Sequence, residues 1–226
     1  MQYNHNMWLE LILNLYIFVC SLIGSIFGIV YVLKGHNALF VKMINLSVLC
    51  LMLSGLYQIV YIITHNELSN GFHIGILSII GSFMFIFSAN FGQMDSLVDD
   101  RSKKFLKVRL ISLSAPITVV LLYLAFYMKV NNAELRIVYG VVSVFVALSS
   151  YYNFKHIIIY DVDLGIIRSI RMYNVLAVIY ALFGMLKPIG LYADIKPLYI
   201  ISCIGIGAVA VSLLPVLKGG VEKWTI

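Results

Sequence analysis

Apolar positions in this chain come in long unbroken runs, and short polar stretches separate them. The runs cover about 8–33, 38–63, 72–94, 110–130, 137–160, 172–193 and 197–217. Each is long enough to cross roughly 30 Å of hydrocarbon as a helix rising 1.5 Å per residue. None alternates with a period of two, which argues against a membrane-spanning β-barrel. The pattern predicts an all-α polytopic membrane protein, a seven-transmembrane-helix bundle. The seven runs and their connections use the whole chain, so residues 1–226 are expected to form a single membrane domain without a linker. The first run is too long for a signal-peptide core and no small-residue cleavage pattern follows it, so it counts as a span.

Composition strengthens this picture. Hydrophobic residues make up 62% of the chain and charged residues 12%. The outer shell of a soluble domain must be wetted, and a chain of this size has too few polar residues to do that. Lipid is therefore its expected solvent and its first partner.

The placement of charge adds an orientation. Lys34 and Lys42 flank the first turn, and Arg101, Lys103, Lys104, Lys107 and Arg109 follow the third run. Lys155, Arg168 and Arg171 follow the fifth, and Lys218 and Lys223 sit in the tail. The alternate turns are poor in cations: 65–73 has none, 131–136 has Arg136 and 192–197 has Lys196. The positive-inside rule then predicts an outer N-terminus and a cytoplasmic C-terminus in the plasma membrane. The net charge of +6 is mostly this topology, with some attraction to anionic headgroups. No basic platform interleaved with aromatics is present, so nucleic acid is not an expected partner.

Small residues recur along several runs: Gly24 and Gly28 in the first, Gly75, Ser78 and Ser82 in the third, Gly205 and Gly207 in the last. They allow close helix packing, within one bundle or across a homodimer. Cys20, Cys50 and Cys203 all lie inside runs without paired spacing, so they read as apolar fillers. A weak internal similarity links Asn90-Phe91 with Asn153-Phe154, 63 residues on, with Asp100 and Asp163 at the same offset.

Two groups of polar residues are candidates for function. Near the outer ends lie Glu10, Asn14, Gln58, His65 and Lys187, with Pro188 able to open the helix ladder beside Lys187. These are the expected ligand-binding residues. At the cytoplasmic ends lie Asn90, Gln93, Asp95, Asp99, Asn153, His156, Asp163, Arg168 and Arg171. Charged groups that exchange partners when helices move could couple a signal there. No acidic residue lies at mid-membrane depth, which argues against a proton pump or ion-coupled carrier.

Several chemistries lack their residues. The last run contains no deep Lys for a retinal Schiff base, and no Gly-x-Ser-x-Gly or phosphate-binding Gly-Lys-Ser/Thr occurs. The five His residues show no His-x-x-x-His pair, so no zinc site and no cofactor is expected. Asp95 and Asp99, four apart, share a helix face. With Asn90 and with Asp161-Val162-Asp163, this resembles the aspartate-rich motifs of intramembrane prenyltransferases. That resemblance implies Mg²⁺ and a diphosphate substrate, but the second motif lacks the four-residue spacing and the two lie close together.

The leading expectation is a receptor-like sensor that binds a small ligand or lipid from the outer side and signals through its cytoplasmic loops. Its architecture is similar to membrane domains of bacterial sensor kinases and cyclases. Its partner would be a cytoplasmic output protein, or an output domain beyond this chain. A small-solute transporter or facilitator subunit is the alternative. A Mg²⁺-dependent enzyme on a lipid or isoprenoid diphosphate is the third.

Overall fold

The computed structural model describes residues 7–34, 39–69, 71–94, 103–159 and 166–221. Its helices are α1 (Met7–Leu33), α2 (Leu39–His65), α3 (Ile74–Ala89), α4 (Leu106–Ser112), α5 (Ser114–Lys129), α6 (Ala133–Ile158), α7 (Ile166–Tyr192) and α8 (Lys196–Val221). Among the described residues, seven helical stretches are long and apolar enough to span a membrane, with α4 and α5 together forming the fourth. The helix bounds lie within about six residues of the apolar runs. The protein is an all-helical chain with the character of a multi-pass membrane protein.

The sequence explains where these helices stop. Asn132 accepts a hydrogen bond from the Leu135 N–H at 3.2 Å and caps α6. Asn66 and Asp194, both with φ of 55°, turn the chain left-handed after α2 and α7. After α7 the Ile195 N–H bonds back to the Gly190 carbonyl at 2.8 Å, so the helix end is satisfied without water. The α4–α5 break has a proline behind it. Pro116 lies in the first turn of α5, where its missing N–H is tolerated, but it cannot bond back to the Ser112 carbonyl.

Helix contacts close a ring in the order α1, α2, α3, α6, α7, α8 and back to α1. The fourth span stands outside this ring, against α6 and α7. Its most apolar stretch is only 17% buried, whereas that of α8 is 50% buried. Two glycines close the ring between first and last helices. A Cβ on Gly24 would strike the Ala210 backbone carbonyl, and one on Gly28 would strike Asn45 and Leu214. The small-residue face of α1 is thus used inside the bundle, as are Gly205 against Phe183 and Gly207 against Tyr16.

The ring interior holds the buried core, including Ile17, Ile44, Phe83, Val146, Cys203 and Leu214. Outward-facing Ile, Leu and Val residues cover the other side, as for Ile23, Leu53, Leu121 and Ile201. A hydrophobic exterior around a partly polar interior suits lipid as solvent. The end of the bundle where α1 starts is termed the N-face below, and the opposite end the C-face.

Candidate functional site

The polar interior falls into three clusters at three depths, and α7 contributes to each. Tyr173, Tyr180 and Lys187 are seven residues apart on α7. Seven residues are nearly two helical turns, so the three side chains form one stripe with steps of about 10.5 Å.

The N-face cluster centres on Lys187. Its Nζ donates to Asn14 Oδ1 at 3.2 Å, and the Asn14 amide donates to the Glu10 carbonyl at 2.9 Å. Glu10 and Asn14 are buried, one turn apart on α1. The Glu10 carboxylate lies within electrostatic reach of Lys187, Tyr199 and Cys203. Beside Lys187 is a void of about 30 Å³, lined by Asn14, Ser54, Gly55, Tyr180, Gly184 and Lys187 among others. One or two water molecules fit that space. Pro188 lies inside α7 and has no N–H for the Gly184 carbonyl, so a polar group in the void can take that bond.

The middle cluster crosses the ring. Ser47 Oγ on α2 lies 2.9 Å from Ser82 Oγ on α3, which lies 3.0 Å from Tyr180 Oη on α7. The Tyr180 ring stacks on Phe83 with centroids 4.6 Å apart, which fixes where its hydroxyl points.

The C-face cluster is denser. α3 widens into a π-turn at Asn90–Met94, as helices often do at functional positions. At its first residue, Asn90 Nδ2 donates to Asn153 Oδ1 at 3.0 Å and lies 3.2 Å from Tyr173 Oη. His156 Nδ1 is 3.0 Å from Asn90 Oδ1, and because an amide oxygen only accepts, this nitrogen carries the proton. Asn153 Nδ2 bonds back to the Ser149 carbonyl at 2.7 Å. Asn90, Asn153, His156 and Tyr173 are each fully buried. The two asparagines of the 63-residue similarity therefore meet each other directly.

A further group stands apart on the N-face. Ser69 Oγ donates to Gln58 Oε1 at 2.9 Å and lies 3.0 Å from His73 Nε2. His73 Nε2 also lies 3.4 Å from Gln58 Nε2. The His73 ring stacks on Tyr57 at 4.9 Å, and its buried Nδ1 has no hydrogen-bond partner among the described residues. Burial holds the His73 imidazole below the usual histidine value. The adjoining turn is pinned to α6, because Glu134 Oε1 accepts from the Phe72 N–H at 3.1 Å. Gly71 permits this approach, having a φ of 76° and no Cβ to strike the Glu134 carboxylate.

Of the residues expected to bind ligand, Glu10, Asn14 and Lys187 come together. Gln58 belongs to the His73 group and does not line the void. His65 is exposed, stacked on Tyr61 at 4.3 Å. Of those expected to couple a signal, Asn90, Asn153 and His156 form one network. Arg171 lies nearby, with its Nη2 donating to the Ile159 carbonyl at 3.2 Å. Asp95, Asp99 and Asp163 lie outside the described residues, as do the side chains of Gln93 and Arg168. Tyr173, Tyr180 and Ser47 were not singled out from sequence, although the seven-residue spacing down to Lys187 was there to be read.

No family model matches the chain, and no curated protein or solved structure matches it.

Proposed function

We propose that this protein is a receptor-like sensor of the plasma membrane, with its N-terminus outside and its C-terminus in the cytoplasm. A small ligand enters from the N-face and binds at Lys187, Asn14 and Glu10. Helix α7 carries the change to Asn90, Asn153 and His156 at the C-face, and a cytoplasmic output partner reads it there. The observation that carries this reading is the α7 stripe, one helix holding a residue in each polar cluster. The void holds only one or two waters, so a larger ligand has to widen it. Pro188 and Gly184 give α7 a place to bend beside the void.

The test needs no knowledge of the ligand. A cysteine is placed at Gly92, where a Cβ meets open space, after Cys20, Cys50 and Cys203 are replaced by alanine. Its thiol labelling rate is measured in nanodiscs with and without Lys187→Met. The sensor reading expects a change of at least threefold in rate. An unchanged rate at Gly92 contradicts it.

Polar clusters at three depths also favour a second reading, in which a small solute is moved through the bundle. Proteoliposome flux that falls with Ser82→Ala supports transport. Flux insensitive to every polar residue of the stripe counts against it.

A further inference from the structure

The fourth span does not pack flush against the ring. Between it and α6 and α7 lies a cleft of about 200 Å³, lined by Ser114 and Thr118 of α5, Ser150 and Phe154 of α6, and Val178 and Ala181 of α7. This volume exceeds a cavity that holds benzene, about 150 Å³. Ser114 and Thr118 are exposed, so the cleft opens sideways toward the bilayer. Its walls begin about two turns in from the start of α4 and about three from the start of α7, which is hydrocarbon depth.

Each of two walls carries a cation toward the C-face. Lys107 lies seven residues before Ser114, and Arg171 seven residues before Val178. Along α7 this spacing keeps nearly the same face and covers about 10.5 Å, while Lys107 on α4 precedes Ser114 across the α4–α5 break. Lys107 is exposed. Arg171 uses one nitrogen on the Ile159 carbonyl, while its buried Nε has no hydrogen-bond partner among the described residues. A guanidinium with an unused donor among the described residues and an exposed ammonium therefore lie toward the headgroup end of an apolar cleft.

We propose that this cleft is a binding site for one anionic glycerophospholipid of the C-face leaflet. An acyl chain fills the space between α5, α6 and α7, and the phosphate sits between Lys107 and Arg171. The occupant is a lipid because the cleft opens to the bilayer and its lining is mainly apolar. It is anionic because both flanking groups are cations. Basic pockets between membrane helices recognise anionic headgroups in this way. Bound there, the lipid ties the peripheral fourth span to the α7 helix that bears Tyr173.

The test is lipid binding by the full chain, followed by native mass spectrometry of purified protein titrated with dioleoyl-phosphatidylglycerol or dioleoyl-phosphatidylcholine. The wild type is expected to retain the anionic lipid in preference to the zwitterionic one. Lys107→Gln and Arg171→Gln should each lower that retention about fivefold. Ser114→Phe, at the exposed rim, should lower it too by filling the cleft. Inorganic phosphate, added at millimolar concentration, should not displace the lipid. Equal retention of the two lipids would overturn the proposal, as would retention unchanged by both charge substitutions. Displacement by phosphate would mean an anion site without a chain site, and would also overturn it. If Ser114→Phe lowers thermal stability, Thr118→Leu replaces it, and unchanged retention in that variant counts against the chain site.

Discussion

The two ends of the α7 stripe are built differently. At the C-face, two amides, an imidazole and a phenol hydrogen-bond to one another in a fully buried knot around Asn90. At the N-face, a Lys and a Glu share a looser cluster beside a void, with a proline in the adjoining helix turn. Hydrogen bonds among buried side chains fix a geometry at little cost in hydrocarbon. Charged groups around open space are costly to keep there and respond to whatever enters. Under the proposed reading the Lys187 end receives and the Asn90 end is read out, and four predictions probe the contrast.

The largest effect is expected at the knot. Asn90→Leu strands Asn153 Oδ1 and the His156 Nδ1 proton in a buried site. Each stranded group costs on the order of 1–3 kcal/mol, so unfolding in denaturant should show a loss of about 2–3 kcal/mol. A loss below about 0.5 kcal/mol would mean the knot is no anchor. Lys187→Met should behave in the opposite sense. Removing a cation from hydrocarbon offsets the lost bond to Asn14, so the same titration should move by about 1 kcal/mol or less.

Tyr180→Phe keeps the stack on Phe83 and removes one hydroxyl from Ser82. Membrane hydrogen bonds average about 0.6 kcal/mol, and a destabilisation of that size is expected. The smallest effect concerns the N-face cap. His73 is held neutral, below its unfolded value of about 6.5. Its contribution is therefore complete above that value and is lost as pH falls through the lower folded value. Amide exchange at Phe72, corrected for intrinsic rate, should quicken between pH 8 and pH 5. His73→Phe, which can still stack on Tyr57, should abolish that dependence.

Much of this architecture was legible in the chain. Hydrophobic run length sets the spans, because a helix has to cross hydrocarbon with its backbone satisfied. Asn14, Asn90, Asn153, His156 and Lys187 stood out because a polar side chain within an apolar run needs a reason. Tyr173 and Tyr180 did not, since tyrosine reads as an interface or core residue and only their shared step with Lys187 marks them. The outlying place of the fourth span was also hidden. Hydropathy reports what a helix avoids, water, and not which neighbours it has. Gln58 read as part of the outer site because depth was known and direction was not. Its partners Ser69 and His73 come from the turn beyond α2.

The central claim is that α7 connects the two ends, and a distance tests it most directly. Spin labels at Gly92 and Met172, in nanodiscs and without the native cysteines, report the separation between α3 and α7 at the C-face. Met172 is 61% exposed, so a label fits there. The account predicts that Lys187→Met shifts this distance distribution and that adding Tyr180→Phe reduces the shift by at least half. Superimposable distributions for wild type and Lys187→Met would contradict it.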